Sequence, residues 1–144
     1  MKKRILIVDD EPTMTRLLKL YLERAGFDVA CAHNGQEALA SILAHAPDAM
    51  VTDIHMPVMT GKELCLAIEA QYPERRFPIF VMTSMTDREH REWTQKIRNL
   101  DFLEKPLSMR SLTRLLAQHF SAVDAVNTDI ADIPKISHGG GSHV

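Results

Sequence analysis

Short β-branched apolar runs alternate along this chain with stretches of helical period, and several of the runs end on a polar side chain. A chain patterned this way folds as strands joined by crossover helices, the signature of a parallel α/β sheet. Arg4 to Val8 is the first run, uninterrupted in the manner of a strand buried on both faces. Pro12 suits the first turn of the next helix, Met14, Leu17, Leu18, Tyr21 and Ala25 mark its inward face, and Gly26 ends it. Phe27 to Ala32 reads as strand two and Asn34-Gly35 as the turn after it. Ala38, Leu39, Ile42, Leu43 and Ala46 then form a helical stripe closed by Pro47. Ala49 to Thr52 is strand three, ending at Asp53; a helix from about Thr60 to Gln71 turns Leu64, Ala67 and Ile68 inward. Pro78 to Thr83 is strand four, and Asp87 to Ile97 predicts a polar helix with Trp93 and Ile97 as its inward pair. Phe102-Leu103 is a short fifth strand, and Ser108 caps a last helix that buries Leu112, Leu115, Leu116 and Phe120.

The 144 residues hold one domain with a proper core. Residues 1–120 are that domain. From Ser121 the helical signal fades, and His138-Gly139-Gly140-Gly141-Ser142-His143 gives 121–144 the look of a flexible tail, linker or expression remnant. The net charge of −2 comes from Asp124, Asp129 and Asp132 against Lys135, so the charges of 1–120 balance. A balanced body has no basic stripe for nucleic acid and no patch for anionic lipid. No stretch is long enough to span a bilayer, and the run after Met1-Lys2-Lys3-Arg4 is too short for a signal sequence. Cys31 and Cys65 form no pattern and read as small buried hydrophobes in a reducing, cytoplasmic setting.

Asp9 and Asp10 end strand one, Asp53 ends strand three, Thr83 ends strand four and Lys105 follows strand five. In a doubly wound sheet these positions meet at the carboxyl edge, where such folds gather their polar sites. Three carboxylates within a few ångströms disfavour each other's ionised forms until a proton or a cation relieves them. An all-oxygen ligand set suits Mg²⁺, or Mn²⁺, better than zinc. Lys105 at about 4 Å from Asp53 would contribute on the order of 4 kcal/mol before desolvation, enough to hold it there but not to replace a divalent ion. With the ion bound, an ionised Asp53 can attack phosphorus without a general base, while Lys105 and the Thr83 hydroxyl hold the phosphoryl oxygens.

The spacing of these residues resembles that of the response-regulator receiver domains of two-component signalling, in the manner of the chemotaxis receiver. The resemblance rests on Ile5-Leu6-Ile7-Val8-Asp9-Asp10-Glu11, on Asp53-Ile54-His55-Met56-Pro57-Val58-Met59-Thr60-Gly61, on Thr83-Ser84 and on Phe102-Leu103-Glu104-Lys105-Pro106. It implies an α/β fold, a doubly wound five-stranded parallel sheet of flavodoxin-like order 2-1-3-4-5 with five helices. It makes Asp53 the phosphoacceptor, with Asp10 binding Mg²⁺ directly, Asp9 through water and His55 through its backbone carbonyl. Thr83 and Lys105 hold the phosphoryl group, Thr83 and Phe102 are the switch pair, and the Lys105–Pro106 peptide is cis. The implied partners are a sensor histidine kinase or histidine phosphotransfer protein upstream and a downstream protein or output domain. The chain is then no enzyme beyond its own phosphorylation and dephosphorylation. It is either a stand-alone regulator or the receiver of a longer one; a pseudo-receiver acting by binding alone is the remaining form.

Ser84 stands where the family most often has alanine, and Phe102 replaces the commoner tyrosine, which removes a hydroxyl and favours burial of the ring. Arg98-Asn99 replaces the usual Gly-Ala; asparagine tolerates the left-handed turn needed there. Apolar Met85, on the rim with His55, is expected to slow hydrolysis of the phosphorylated form. Asp101 and Arg91 fit the dimerising charge pattern of the transcription-factor branch, but Ile97, Ser111 and Leu115 do not, which favours a different output surface. Trp93 reads as a packing residue. Asp9-Asp10-Glu11 would repel the phosphate of a flavodoxin-like nucleotide binder, and no GxGxxG motif is present for a Rossmann enzyme. A haloacid-dehalogenase-type phosphatase wants a carboxylate where His55 stands.

Overall fold

The computed structural model describes residues 2–84 and 91–131, excluding the side chains of Arg91 and of residues beyond 122. The elements are β1 (Arg4–Val8), α1 (Pro12–Arg24), β2 (Asp28–Ala32), α2 (Gly35–Ala44), β3 (Ala49–Asp53), α3 (Gly61–Gln71), β4 (Ile79–Thr83), α4 (Arg91–Thr94), β5 (Leu100–Glu104) and α5 (Met109–Ala131). All five strands are parallel in the order β2-β1-β3-β4-β5. Ile5 pairs with Val29 on one side and Ala49 on the other, which aligns the ends of β1 and β3 at the same edge.

Side chains on a strand alternate between faces, and both faces of this sheet are covered. Leu6, Val8, Met50, Ile79 and Val81 join Ala38 and Ile42 of α2, Leu64, Cys65 and Ile68 of α3, and Trp93 and Ile97 in one core. Ile5 and Ile7 point to the other face, over which α1 brings buried Leu18 and Leu22. Trp93 is a packing residue, as its spacing from Ile97 predicts.

The starts of α1, α2, α3 and α5 each have a chemical cause. Pro12 opens α1, and Gly26, at φ 101°, turns the chain out of it. The Asn34 side chain accepts from the Glu37 N–H at the head of α2. Thr60 and Glu63 cap α3 reciprocally, each side chain bonding the other's backbone N–H. Ser108 caps α5 by accepting from the Ser111 N–H. That helix buries Leu112, Leu116 and Phe120, with Leu115 partly exposed. It runs past residue 120 to Ala131 because extending a formed helix costs far less than nucleating one.

Two predicted faces need correction. On α1, Leu17 is 50% and Tyr21 40% exposed, while Thr15, Leu18 and Leu22 face inward. Leucines stand on every side of this helix, so periodicity alone does not phase it. On α2, Leu43 is 78% exposed although it continues the stripe of Ala38 and Ile42. Cys65 is buried as expected, but Cys31 is only half-buried. Ile97 is a core residue, as its pairing with Trp93 predicts, and so supplies no charge to an output surface. Asn99 takes the left-handed conformation at φ 55°, and the Lys105–Pro106 peptide is cis. Met85, and the part of the polar helix from Asp87 to His90, lie outside the described residues, as do residues 132–144.

Candidate functional site

The carboxyl edge of β1 and β3 brings three acids together. One carboxylate oxygen from each of Asp9, Asp10 and Asp53 lies within 4.8 Å of the others. Asp9 and Asp53 are buried and Asp10 is exposed, so the cluster opens to solvent on one side. Asp9 ends up there because its N–H donates to the Ala32 carbonyl (3.1 Å), extending the β1–β2 ladder by one rung. Its Oδ1 accepts from the Glu11 N–H at 3.0 Å.

Asp53 Oδ1 accepts from the Ile54 N–H at 2.8 Å and from Lys105 Nζ at 3.0 Å. Lys105 reaches it because its own N–H donates to the Thr83 carbonyl (2.8 Å), which joins the end of β4 to the segment after β5. Thr83 closes β4, and its hydroxyl donates to the Ser84 carbonyl at 3.2 Å. Phe102 lies on β5 opposite Val81 and is 37% exposed, against the expectation of a bias toward burial. His55 lies two residues after Asp53, at the start of the loop, and is exposed.

The acids are in tension without a counter-ion. Burial pushes the Asp9 carboxyl above its ordinary value; the Glu11 N–H opposes this, Asp53 adds to it, Lys105 opposes and Asp10 adds again. The lysine is a single charge, and its side chain is 43% exposed. Three carboxylates offering only oxygen fit a hard divalent ion such as Mg²⁺ or Mn²⁺.

A test follows from this tension. Asp9→Asn keeps an acceptor for the Glu11 N–H and removes one repelling charge. It is expected to stabilise the metal-free protein by on the order of 1 kcal/mol while abolishing stabilisation by millimolar Mg²⁺, read by thermal melts with and without the ion. The folded Asp9 holds its proton to higher pH than the unfolded chain does. The metal-free parent therefore loses stability as pH rises through that raised value, and the variant lacks this slope.

The loop after Asp53 is strained. Val58 has φ 67°, and the Met59 N–H donates to the Pro57 carbonyl across it at 2.7 Å, a γ-turn of the disfavoured hand. A β-branched residue rarely adopts this conformation. Val58→Gly is expected to stabilise the fold by about 1 kcal/mol, the strain released less the extra freedom of glycine when unfolded. Thermal melts would register this as a rise of about 4 °C.

Gly61 and Glu11 are contributors that the sequence alone does not expose. A Cβ on Gly61 would lie 2.1 Å from the Asp53 carbonyl oxygen, so α3 begins hard against the β3 backbone. The signal for it was its place in the stretch from Asp53 to Gly61.

A family model described as response regulator receiver domain matches residues 5–117. The alkaline phosphatase synthesis transcriptional regulatory protein PhoP of Bacillus subtilis (strain 168) is 35% identical over 112 residues. That alignment covers 78% of this chain and 46% of PhoP, so the chain spans less than half the length of this relative. The chemotaxis response regulator CheY4 of Vibrio cholerae superposes with a TM-score of 0.72 at 30% identity, covering 82% of this chain and 98% of that one. A CheY-like receiver domain protein from Methanospirillum hungatei JF-1 gives a TM-score of 0.76 at 26% identity, covering 85% and 96%.

Proposed function

The chain belongs to the response regulator receiver domains, and from that premise we propose that it takes a phosphoryl group onto Asp53 and reports it through a changed surface. The observation that carries this reading is the convergence of the Asp9, Asp10 and Asp53 oxygens within 4.8 Å, with Lys105 Nζ 3.0 Å from Asp53. Residues 1–120 are the receiver, and its last helix, α5, continues to Ala131 into the segment read as tail or linker. Asp10, Asp53 and the His55 carbonyl would hold Mg²⁺ directly, and Asp9 would hold it through water. When bound, the ion neutralises the carboxylates and the phosphoryl oxygens.

The Asp53 carboxylate forms the new O–P bond as the N–P bond of a phosphohistidine on the donor breaks. The donor imidazole leaves with the electron pair and takes up a proton. Lys105 already spans to Asp53 and shifts its hold to the phosphoryl oxygens as they arrive. The Thr83 hydroxyl exchanges the Ser84 carbonyl for a phosphoryl oxygen, and Phe102 moves inward with it. The donor is a sensor histidine kinase or a histidine phosphotransfer protein; the reader is a downstream protein or an output domain, with no direct contact to nucleic acid by this chain. The catalysis is confined to the protein's own phosphorylation and dephosphorylation. The setting is cytoplasmic; no helix among the described residues is long and apolar enough to cross a membrane.

The test is beryllofluoride with Mg²⁺, followed by Trp93 emission. A shift that requires the metal and is lost in Asp53→Asn supports the reading. A shift that persists in Asp53→Asn, or none at millimolar Mg²⁺, overturns it in favour of a pseudo-receiver. The shared length with PhoP favours a second form of the same proposal, a receiver within a longer regulator.

A further inference from the structure

The junction between β2 and α2 touches both halves of the acidic site without contributing a ligand to it. At its start, Nδ1 of His33 lies 3.4 Å from the Asp9 carbonyl oxygen. At its end, the Gly35 N–H donates to the Met59 carbonyl at 3.1 Å. The Met59 side chain lies flat on the bare Cα of Gly35; a Cβ there would meet Met59 Cγ at 2.7 Å and its Cβ and Sδ at 2.9 Å. Between these contacts the junction is braced. Asn34 accepts from the Glu37 N–H at 2.9 Å, and the Glu37 carboxylate accepts from the His33 N–H at 2.8 Å.

Met59 matters because of the loop it closes. The segment from Ile54 to Gly61 is pinned to β3 at its far end, where the Gly61 N–H donates to the Ile54 carbonyl at 2.8 Å. Its middle carries the positive-φ turn at Val58, a conformation that persists only when the surroundings enforce it. Met59 is the residue immediately after that turn, and it packs against the core on one side and Gly35 on the other. The Gly35 contact is thus one of two that bear on the turn through Met59, the other being the core.

We propose that Gly35 is a positioning residue for the phosphoacceptor loop, acting through Met59 to hold the His55 carbonyl where the metal needs it. This rests on the reading of Asp53 and its neighbours as a Mg²⁺-dependent phosphoacceptor site. Glycine is required for the close approach: any larger residue pushes Met59, and with it the turn, off the α2 start. Groups that orient metal ligands from behind commonly govern affinity by one to two orders of magnitude.

The experiment is a double-mutant cycle on Mg²⁺ affinity, measured by titrating Mg²⁺ into the full chain by calorimetry well below the melting temperature. Gly35→Ala is expected to weaken binding by about tenfold. Met59→Ala removes the side chain that alanine at 35 would strike, and alone it weakens binding only about threefold. The double variant is expected to bind like Met59→Ala, so the second substitution rescues the first. A purely structural role would lower the melting temperature of Gly35→Ala and leave its Mg²⁺ affinity within twofold of the parent, and that result overturns the proposal. Additive losses in the double variant overturn it as well. If Gly35→Ala does not fold, Met59→Ala decides alone: parental affinity there overturns the proposal, and a threefold loss supports it. A parent that binds no Mg²⁺ refutes the underlying phosphoacceptor reading, a different result from a parent that binds and a Gly35→Ala variant that matches it.

Discussion

Gly61→Ala is expected to destabilise the fold by about 3 kcal/mol, near the top of the range for overpacking a tight site. The added Cβ would sit 2.1 Å from the Asp53 carbonyl oxygen and 2.8 Å from the Ile54 Cα, both backbone atoms with no rotamer to escape into. The strand end or the helix start must move. The same carbonyl accepts from the Thr52 hydroxyl at 2.9 Å, so a shift there disturbs the peptide that carries Asp53 from two sides. Displacing a reacting group by about 1 Å costs on the order of a hundredfold in rate, and phosphoryl acceptance from acetyl phosphate should fall by that much in the fraction that folds. Urea denaturation and rate measurements on the same preparation separate the two effects. Parental stability with parental rate would mean that α3 can slide along β3, contrary to this packing.

The second large effect lies at the opposite edge of the sheet. Glu69 of α3 holds two arginines: Arg75 Nη1 at 2.7 Å and Arg98 Nε at 3.3 Å. Arg75 also donates to the Arg98 carbonyl, and Arg98 to the Pro73 carbonyl, so the clamp ties α3, the segment before β4 and the turn before β5. The Arg75 side chain is 1% exposed, lies over the Phe77 ring at 5.8 Å, and has a buried Nε with no hydrogen-bond partner. Glu69→Ala leaves that guanidinium buried without its counter-charge, and a loss of about 3 kcal/mol is expected. Arg75→Met should cost clearly less, because it removes the buried charge rather than stranding it and leaves Arg98 to Glu69. Equal costs would mean that the pair acts through packing alone.

This clamp also has a pH signature. Burial pushes the Glu69 carboxyl up, but the hydrogen bonds from Arg75 and Arg98 outweigh it and hold it below the ordinary carboxylate value. Its contribution is therefore complete above the pKa of an unfolded glutamate and is lost as pH falls through the lower, folded value. Glu69→Gln should flatten the acid limb of the stability curve without touching the neutral plateau's slope.

What the sequence made legible and what it hid have physical causes. The site was legible because a parallel sheet sends every strand's carboxyl end to one edge, so Asp9, Asp10, Asp53, Thr83 and Lys105 could be placed by counting strands. The core of β1, β3 and β4 was legible because those runs are buried on both faces. β5 was harder: it is an edge strand from Leu100 to Glu104 with Asp101 and Phe102 exposed, and only Phe102-Leu103 stood out. The face of α1 was misjudged because Leu17, Leu18, Leu20 and Leu22 surround the helix, and only packing selects Leu18 and Leu22. The Glu69–Arg75–Arg98 clamp was hidden because its members are charged and Arg98 is distant in sequence from the other two. Arg98-Asn99 read as a departure from a pattern, yet Arg98 supplies the clamp and Asn99 the left-handed turn.

The most direct test of the central claim is intact mass after incubation with acetyl phosphate and Mg²⁺, beside Asp53→Asn and a chelated control. The expected result is one added phosphoryl group that requires the metal, is labile to hydroxylamine as an acyl phosphate must be, and is absent from Asp53→Asn. No added mass at millimolar Mg²⁺, or the same added mass in Asp53→Asn, would contradict the assignment of Asp53 as phosphoacceptor.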